Sequence, residues 1–400
     1  MRTAIVGGGA AGFFLAVNLK EMMPEMEVTI LERSQRVLAK VEVSGGGRCN
    51  CTNSFAGISD LKHVYPRGFR LMKRLMNVFS HRDAYEWFEH HGVSLVTQAD
   101  ECVFPASQDA HTIVNCLTGE AGRLGVKVVT GHKVTSLDEL DGYDFVAVTT
   151  GGSPRDEGLK WLADKGIETV SPVPSLFTFS IDDQQLHDLM GTVAETATAY
   201  LPGTGFRATG PLLITHWGMS GPAILKLSSY AARHLYDHAY RVPLAVNWVS
   251  KGDTEILQEL HTIMARYPQK KMVGIRPFGL STRLWSYLAT KAVGKRAEGA
   301  WQTLNKKEVN RLMTILGNDA YQVAGRAAFK DEFVTCGGVA LPAVSANTLE
   351  SKAVPRLFFA GEVLDIDGIT GGFNFQAAWT TAFTVARAIS LSCNAGEKAK

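Results

Sequence analysis

The triplet Gly7-x-Gly9-x-x-Gly12 follows a short apolar, β-branched-rich run, Thr3 to Val6, and opens into an apolar helical pattern from Phe13 to Met22. Glycines at this spacing restrict the chain to a strand, a tight turn and a helix. Gly7 makes the turn, Gly9 lets a diphosphate approach the backbone, and Gly12 lets the helix lie close to the sheet. The N–H groups of the helix N-terminus then face the phosphate charge. Glu27 to Glu32 is a second strand pattern, and Glu32 lies twenty residues beyond Gly12, where a carboxylate accepts hydrogen bonds from ribose hydroxyls. The triplet alone recurs by chance; with the strand before it and the acid after it, it predicts dinucleotide binding. Ala10, Ala11 and Arg33 belong to the same expected contact set. The carboxylate disfavours a 2′-phosphate, so an NADP adenosine is not expected here, and FAD or NAD remain.

The far end of the chain decides between them. Leu357 to Ala360 is a strand pattern, Asp365 to Gly372 is turn chemistry, and Phe373 to Ile389 carries apolar residues at helical spacing. A hydride-transferring NAD enzyme has no need for its last helix to return to its first strand. In the large FAD-binding oxidoreductases it does return, because the extended cofactor has its diphosphate on the first helix and its flavin end at the last. A helix opened by Gly371-Gly372 brings partial positive charge to the flavin N1/O2 edge, where negative charge accumulates on reduction. Gly361, Glu362, Gly371, Gly372, Phe373 and Asn374 are therefore expected at FAD. Glu362 is the candidate for a ribityl hydroxyl, Asn374 and Gln376 for the ring edge or ribityl chain, and Asp365 and Asp367 for turn capping.

A third segment points to the same site. Tyr143 to Thr149 reads as a buried strand ending in Thr150-Gly151-Gly152, small residues that permit close approach. Val126 to Thr130 and Lys133 to Leu137 read as a hairpin about Gly131, with Val134 near the adenine.

Lys40 to Asn53 reads Lys-Val-Glu-Val-Ser-Gly-Gly-Gly-Arg-Cys-Asn-Cys-Thr-Asn. This string resembles the signature of the bacterial aminoacetone-oxidase-like, or BaiN-like, family of FAD-binding oxidoreductases. Val103-Phe-Pro-Ala-Ser107, Thr149-Thr-Gly-Gly152, Thr215-His-Trp-Gly-Met-Ser-Gly-Pro222 and Gly361 to Gln376 resemble that family in order, so the likeness covers essentially the whole chain. It implies an α/β fold: a glutathione-reductase-like Rossmann FAD domain with a parallel sheet of β-α-β units, interrupted by a mixed β-rich and helical substrate domain. It also implies that the Ser44 to Asn53 loop runs along the cofactor, which adds Lys40, Ser44, Gly45, Gly46, Arg48, Cys49 and Asn50 to the expected contacts. Consecutive glycines expose backbone N–H groups, and Lys40 and Arg48 complement a diphosphate. One departure stands out: family members often carry Gly-Arg just before the Val-Phe-Pro segment, where this chain has Glu101-Cys102.

Four hundred residues, 46% of them apolar, suffice for two cores. The expected division is residues 1–170 with 336–400 for FAD and 171–335 for substrate. Residues 70–125 read as a helical insert, Leu176 to Ile181 and Thr192 to Tyr200 as strands, and Ile256 to Ile315 as mostly helical. The net charge of +2 gives no general reason for a polyanionic partner, but residues 230–330 hold sixteen Lys and Arg against seven acids. The six cysteines are scattered and none has C-x-x-C spacing, so Cys49 and Cys51 read first as small buried thiols, with a redox role at the flavin as the alternative. No clustered His/Cys ligand set predicts a metal. A strand within three residues of the start leaves no room for a secretory leader, and no apolar run reaches membrane-spanning length, so a soluble cytoplasmic protein is expected. Oligomeric state stays open.

A second glycine fingerprint for a dedicated nicotinamide domain is absent from the sequence. Either NAD(P)H docks transiently at the flavin, or the substrate reduces the flavin and oxygen reoxidises it. The expected function is an FAD-dependent oxidoreductase acting on a small organic substrate, by reducing a conjugated double bond with NAD(P)H or by oxidising an amine. The alternatives are a flavoprotein of RNA (tRNA) modification, motivated by the basic middle region, and a non-enzymatic flavin-binding protein. His216, beside Gly218 and the Ser220-Gly221-Pro222 turn, and Asn374 are the catalytic candidates; for His216 the alternative is a structural histidine that ties the turn.

Overall fold

A computed structural model of the chain describes residues 1–153, 155–327 and 334–398, with side chains to residue 394. The chain forms two compact units, Met1–Pro174 with Phe333–Lys400, and Ser175–Glu332.

The first unit is built on a five-stranded parallel sheet in the order Leu357–Phe359, Phe145–Val148, Arg2–Val6, Glu27–Leu31, Lys127–Val129. Ala4, on the central strand, pairs in register with Thr29 on one side and Val146 on the other. Because all five strands point the same way, Val6, Leu31, Val148 and Phe359 end on one edge. The segments that follow them, Gly7–Gly12, Glu32–Arg33, Thr149–Gly152 and Ala360–Glu362, therefore gather where open parallel sheets bind ligands.

Helix Ala10–Met22 leaves that edge and packs along helix Phe373–Lys398. Every residue from Ala11 to Leu19 is buried, so the first helix has no solvated face and needs partners all round. It finds them in aromatic rings: Phe14 lies 4.5 Å from Trp87 and 5.1 Å from Trp379, between centroids.

Two sequence expectations for this unit are corrected. No hairpin forms about Gly131: Lys127–Val129 pairs parallel with Glu27–Leu31, and residues 132–136 are not strand. The Gly131 and His132 N–H groups instead bond to Ser34 and Glu32 carbonyls. Val134 turns onto the sheet with Ala4, Val6, Leu31 and Leu140, and Ser136 caps the short helical turn Leu137–Leu140. Burying Val134 and capping that turn take the place of a return strand. Nor is the 70–125 insert purely helical. Helices Phe69–Leu75, His81–His90 and His111–Arg123 surround an antiparallel sheet of Thr52–Asn53, Cys102–Pro105 and Leu95–Thr97, whose central strand is buried throughout.

The second unit carries a seven-stranded antiparallel sheet in the order Asp319–Gln322, Pro243–Asn247, Val193–Tyr200, Arg207–Thr215, Gly218–Ser220, Phe179–Ser180, Gly325–Arg326. Of the predicted Leu176 to Ile181 strand only Phe179–Ser180 pairs, since Leu176 takes a positive φ of 57°. Helices Asp253–Arg266, Thr282–Val293 and Lys306–Gly317 close a core that includes Trp248, Trp285 and Trp301. Among the described residues no helix is long and apolar enough to cross a membrane.

Candidate cofactor site

Gly12 lies so close to the turn before it that a Cβ there would stand 2.0 Å from the Gly7 carbonyl oxygen. Any side chain would push the helix off the sheet. Gly9 is the opposite case: a Cβ on it would meet nothing within 4 Å, so the backbone there faces open space. Gly9 precedes the helix without a side-chain cap, and the first-turn N–H groups, Ala10, Ala11 and Gly12 among them, have no carbonyl one turn earlier to bond to. Thr149 Oγ1 donates to the Gly7 carbonyl at 2.9 Å and ties the next strand end to the turn. Glu32 accepts from the Gly8 N–H at 2.7 Å and from the Ser34 N–H and Oγ at 2.8 and 2.9 Å. Its carboxylate is thus held beside the glycine turn, with Arg33 exposed next to it.

The C-terminal segment meets this turn directly. Gly361, with φ of 76°, donates its N–H to Thr381 Oγ1 at 2.8 Å and lies against Ala11. Glu362 accepts from Lys40 Nζ and from the Thr335 N–H, both at 2.8 Å, and a Cβ on neighbouring Gly151 would stand 3.8 Å from it. One carboxylate therefore joins Lys40 and Thr335 to the end of the last strand, beside Gly151. Asp365, read as a turn cap, has a buried Oδ1 without a hydrogen-bond partner, which sequence reasoning missed. Asp367 is fully buried and paired with Arg67.

The Ser44 to Asn53 stretch follows a helical turn that starts at Ala39 and breaks at Ser44 (ψ 152°), after which Gly45, Gly46 and Gly47 take left-handed φ values of 57°, 69° and 82°. Arg48 donates to the Gly45 carbonyl at 3.1 Å and stacks 4.3 Å over the Phe104 ring, so its guanidinium already braces the loop. Asn53 Nδ2 donates to the Gly371 carbonyl at 3.0 Å. Asn50, its amide turned to suit its neighbours, donates to Thr52 O at 2.9 Å and accepts from the Gly372 N–H at 3.2 Å. Thr52 donates to Gln376 at 2.6 Å, and Trp379 Nε1 donates to the Cys51 carbonyl at 2.8 Å. The loop is stitched to the Gly371–Phe373 turn along its length.

Other predicted residues have different settings. The Asn374 amide is committed at both ends to Gly368, accepting from its N–H at 2.8 Å and donating to its carbonyl at 2.9 Å. Gln376 is wholly buried between Thr52 and Thr380. Phe373 is buried and its carbonyl accepts from the Tyr65 hydroxyl at 2.8 Å. Cys49 and Cys51 are wholly buried; burial pushes the Cys49 thiol up to about 12 and Cys51 in the same direction. Val134 is buried on the sheet. His216 belongs to the second unit, exposed with Trp217 in the two-residue turn between strands Arg207–Thr215 and Gly218–Ser220.

An extended dinucleotide such as FAD needs donors for a diphosphate, acceptors for ribose and ribityl hydroxyls, and walls without side chains. The uncapped helix at Gly9, the Glu32 carboxylate and the open face at Gly9 fit that set.

The chain also resembles known proteins. Residues 1–388 match the family model described as "HI0933-like protein Rossmann domain". The chain is 27% identical to a 3-dehydro-bile acid delta(4,6)-reductase of Clostridium scindens, over 97% of this chain and 98% of that one. It is also 27% identical to a ribosomal RNA dihydrouridine synthase of Haemophilus influenzae, over 96% and 98%. A solved 3-ketosteroid delta1-dehydrogenase from Sterolibacterium denitrificans superposes on 98% of this chain and 99% of its own, at 11% identity and a TM-score of 0.49. With the family match running through both units, the chain belongs to the HI0933-like family of FAD-binding Rossmann proteins.

Proposed function

We propose that the protein is an FAD-dependent reductase that adds hydrogen across a carbon–carbon double bond conjugated to a carbonyl, with NAD(P)H as the reductant. The observation that carries this reading is the convergence of Gly7–Gly12, Glu32, Thr150–Gly151 and Gly361–Glu362 on one sheet edge. The names of two relatives support the bond type: one is a 3-dehydro-bile acid delta(4,6)-reductase and the other a ribosomal RNA dihydrouridine synthase. Bound flavin supplies the hydride chemistry. The residues of the chain supply the rest. The helix N-terminus at Gly9–Gly12 would hold the diphosphate, Glu32 the adenosine ribose, and Glu362 a ribityl hydroxyl. The Gly371–Phe373 helix start stabilises negative charge at the ring edge. His216 is the proposed proton source or substrate anchor in the second unit.

A small conjugated ketone is the first substrate reading. A uridine within RNA is the second, favoured by a basic surface on the second unit. There Lys270, Lys271 and Lys295 are all exposed, the Met272 N–H bonds to Gly299 O at 2.9 Å, and the Met272–Gly274 turn packs on the Gly294–Glu298 turn.

The test is anaerobic. Purified protein should carry flavin that NADH or NADPH bleaches, and the colour should return on adding a conjugated enone or a uridine-containing RNA. Protein without flavin, and without a thermal shift on adding FAD, would defeat the reading. Bleaching by an amine alone would turn it into an oxidase, and flavin that no donor bleaches would make it a binding protein. For the RNA arm, binding should weaken with salt, with a smaller slope in a Lys270/Lys271/Lys295 triple variant.

A further inference from the structure

We propose that Glu21, His91 and Glu120 form a divalent-cation site of the zinc class in the first unit, apart from the sheet edge described above. The three residues come from different helices: Glu21 from the last turn of Ala10–Met22, His91 from the end of His81–His90, and Glu120 from the last turn of His111–Arg123. One ligand atom from each lies within 4.8 Å of the other two.

Three features of the arrangement call for a cation. His91 Nδ1 lies 2.7 Å from the Trp87 carbonyl, which only accepts, so the ring proton sits on Nδ1. Nε2 then faces Glu21 Oε1 at 3.0 Å, where a positive charge, either the second ring proton or a metal ion, joins the two. A backbone carbonyl fixing Nδ1–H is also the usual orientation of a metal-ligating imidazole. Second, all three helices end here, so two carboxylates add to the partial negative charge of three C-termini. Third, Glu21 and His91 line an open cleft whose other polar walls include Asp83 and Glu86, which gives a cation an acidic path of entry.

The donor set is one imidazole nitrogen and two carboxylate oxygens, a combination that suits zinc with a fourth position left to water. Ligand atoms around tetrahedral zinc stand about 3.3 Å apart. The His91–Glu21 pair is already near that spacing. The His91 ring is fixed, stacked 3.8 Å from the Trp87 ring with its side chain 7% exposed. The closure falls to the glutamates, which are freer. Arg123 holds Glu120 Oε2 at 2.6 Å and steadies that carboxylate from the outside.

The test uses full-length protein freed of metal with EDTA, titrated with Zn²⁺ and separately with Mg²⁺ by calorimetry and thermal shift. One Zn²⁺ should bind per chain and raise the melting temperature, with affinity falling at least tenfold in Glu21→Gln and in Glu120→Gln, and Mg²⁺ should bind far more weakly. Both variants are isosteric, so circular dichroism checks that they fold; His91→Gln is the third arm. Co²⁺ should give a visible spectrum without the thiolate charge-transfer band that Cys116 ligation would produce. Equal Zn²⁺ affinity in wild type and the glutamine variants, a thiolate band, or no Zn²⁺ binding, which would leave a proton alone between His91 and Glu21, would overturn the site.

Discussion

Gly361 rests on Ala11: a Cβ built on Gly361 would stand 2.8 Å from the Cβ of Ala11, although 350 residues separate them in the chain. This contact joins the last strand to the first turn of the first helix, and it leaves no room for a methyl group. The φ of 76° at Gly361 adds a conformational cost of about 1 kcal/mol for any other residue. Gly361→Ala should therefore lower the melting temperature and displace the N–H groups at the start of the helix. The ratio of flavin to protein absorbance in the purified variant should fall below that of wild type. An unchanged ratio would separate the contact from cofactor retention.

Glu362 makes two different bonds, and substitutions should resolve them. Its ion pair with Lys40 is half exposed on the lysine side, so Lys40→Met should cost under about 1 kcal/mol in urea denaturation. Glu362→Gln keeps an acceptor for the Thr335 N–H and should cost about as little. Glu362→Ala leaves that N–H without its acceptor and should cost about 1 to 3 kcal/mol. If all three variants lose the same stability, the Thr335 bond is not the larger contribution.

Much of the parallel sheet was legible because three of its five strands end in a punctuating signal: Gly7 after Val6, Glu32 after Leu31, and Thr150-Gly151 after Thr149. Local chemistry of that kind survives tertiary context. The Gly131 hairpin misled for the complementary reason. Two β-branched stretches flanking a glycine look alike whether the second pairs or, like Val134, buries its side chain on the sheet. Pairings across the chain had no signal at all. Nothing near Asp367 announces Arg67, three hundred residues earlier, and nothing in Asp365 distinguishes a turn cap from a buried acceptor. Glu21, His91 and Glu120 span a hundred residues with no shared motif, so only the packing of three helix ends brings them together.

Glu101 sits in a strained backbone position just before strand Cys102–Pro105. Its φ of 66° is left-handed, a region that favours glycine. The glutamate is kept in place by a hydrogen bond from Ser54 Oγ. Glu101→Ala would lose that bond and retain the backbone strain, whereas Glu101→Gly loses the bond and relieves the strain. The alanine variant should be less stable than the glycine variant by about 1 kcal/mol in chemical denaturation. A more stable alanine variant would mean that the unfolded chain's extra freedom with glycine outweighs the strain.

Cys49 and Cys51 lie in the loop stitched to the Gly371–Phe373 turn. Burial holds the Cys49 thiol near 12, so at pH 8 the nucleophilic thiolate is a minute fraction of the population. Cys51 is displaced in the same direction by burial, and the thiols of Cys49 and Cys51 are both free. Raising the pH from 7 to 9 should therefore leave both residues unlabelled by iodoacetamide in native protein, with modification appearing only on denaturation. The readout is peptide mass spectrometry of Cys49 and Cys51 before and after urea. Labelling of native Cys49 that rises tenfold per pH unit through this range would require the loop to open, and with it a route for thiol chemistry at the site.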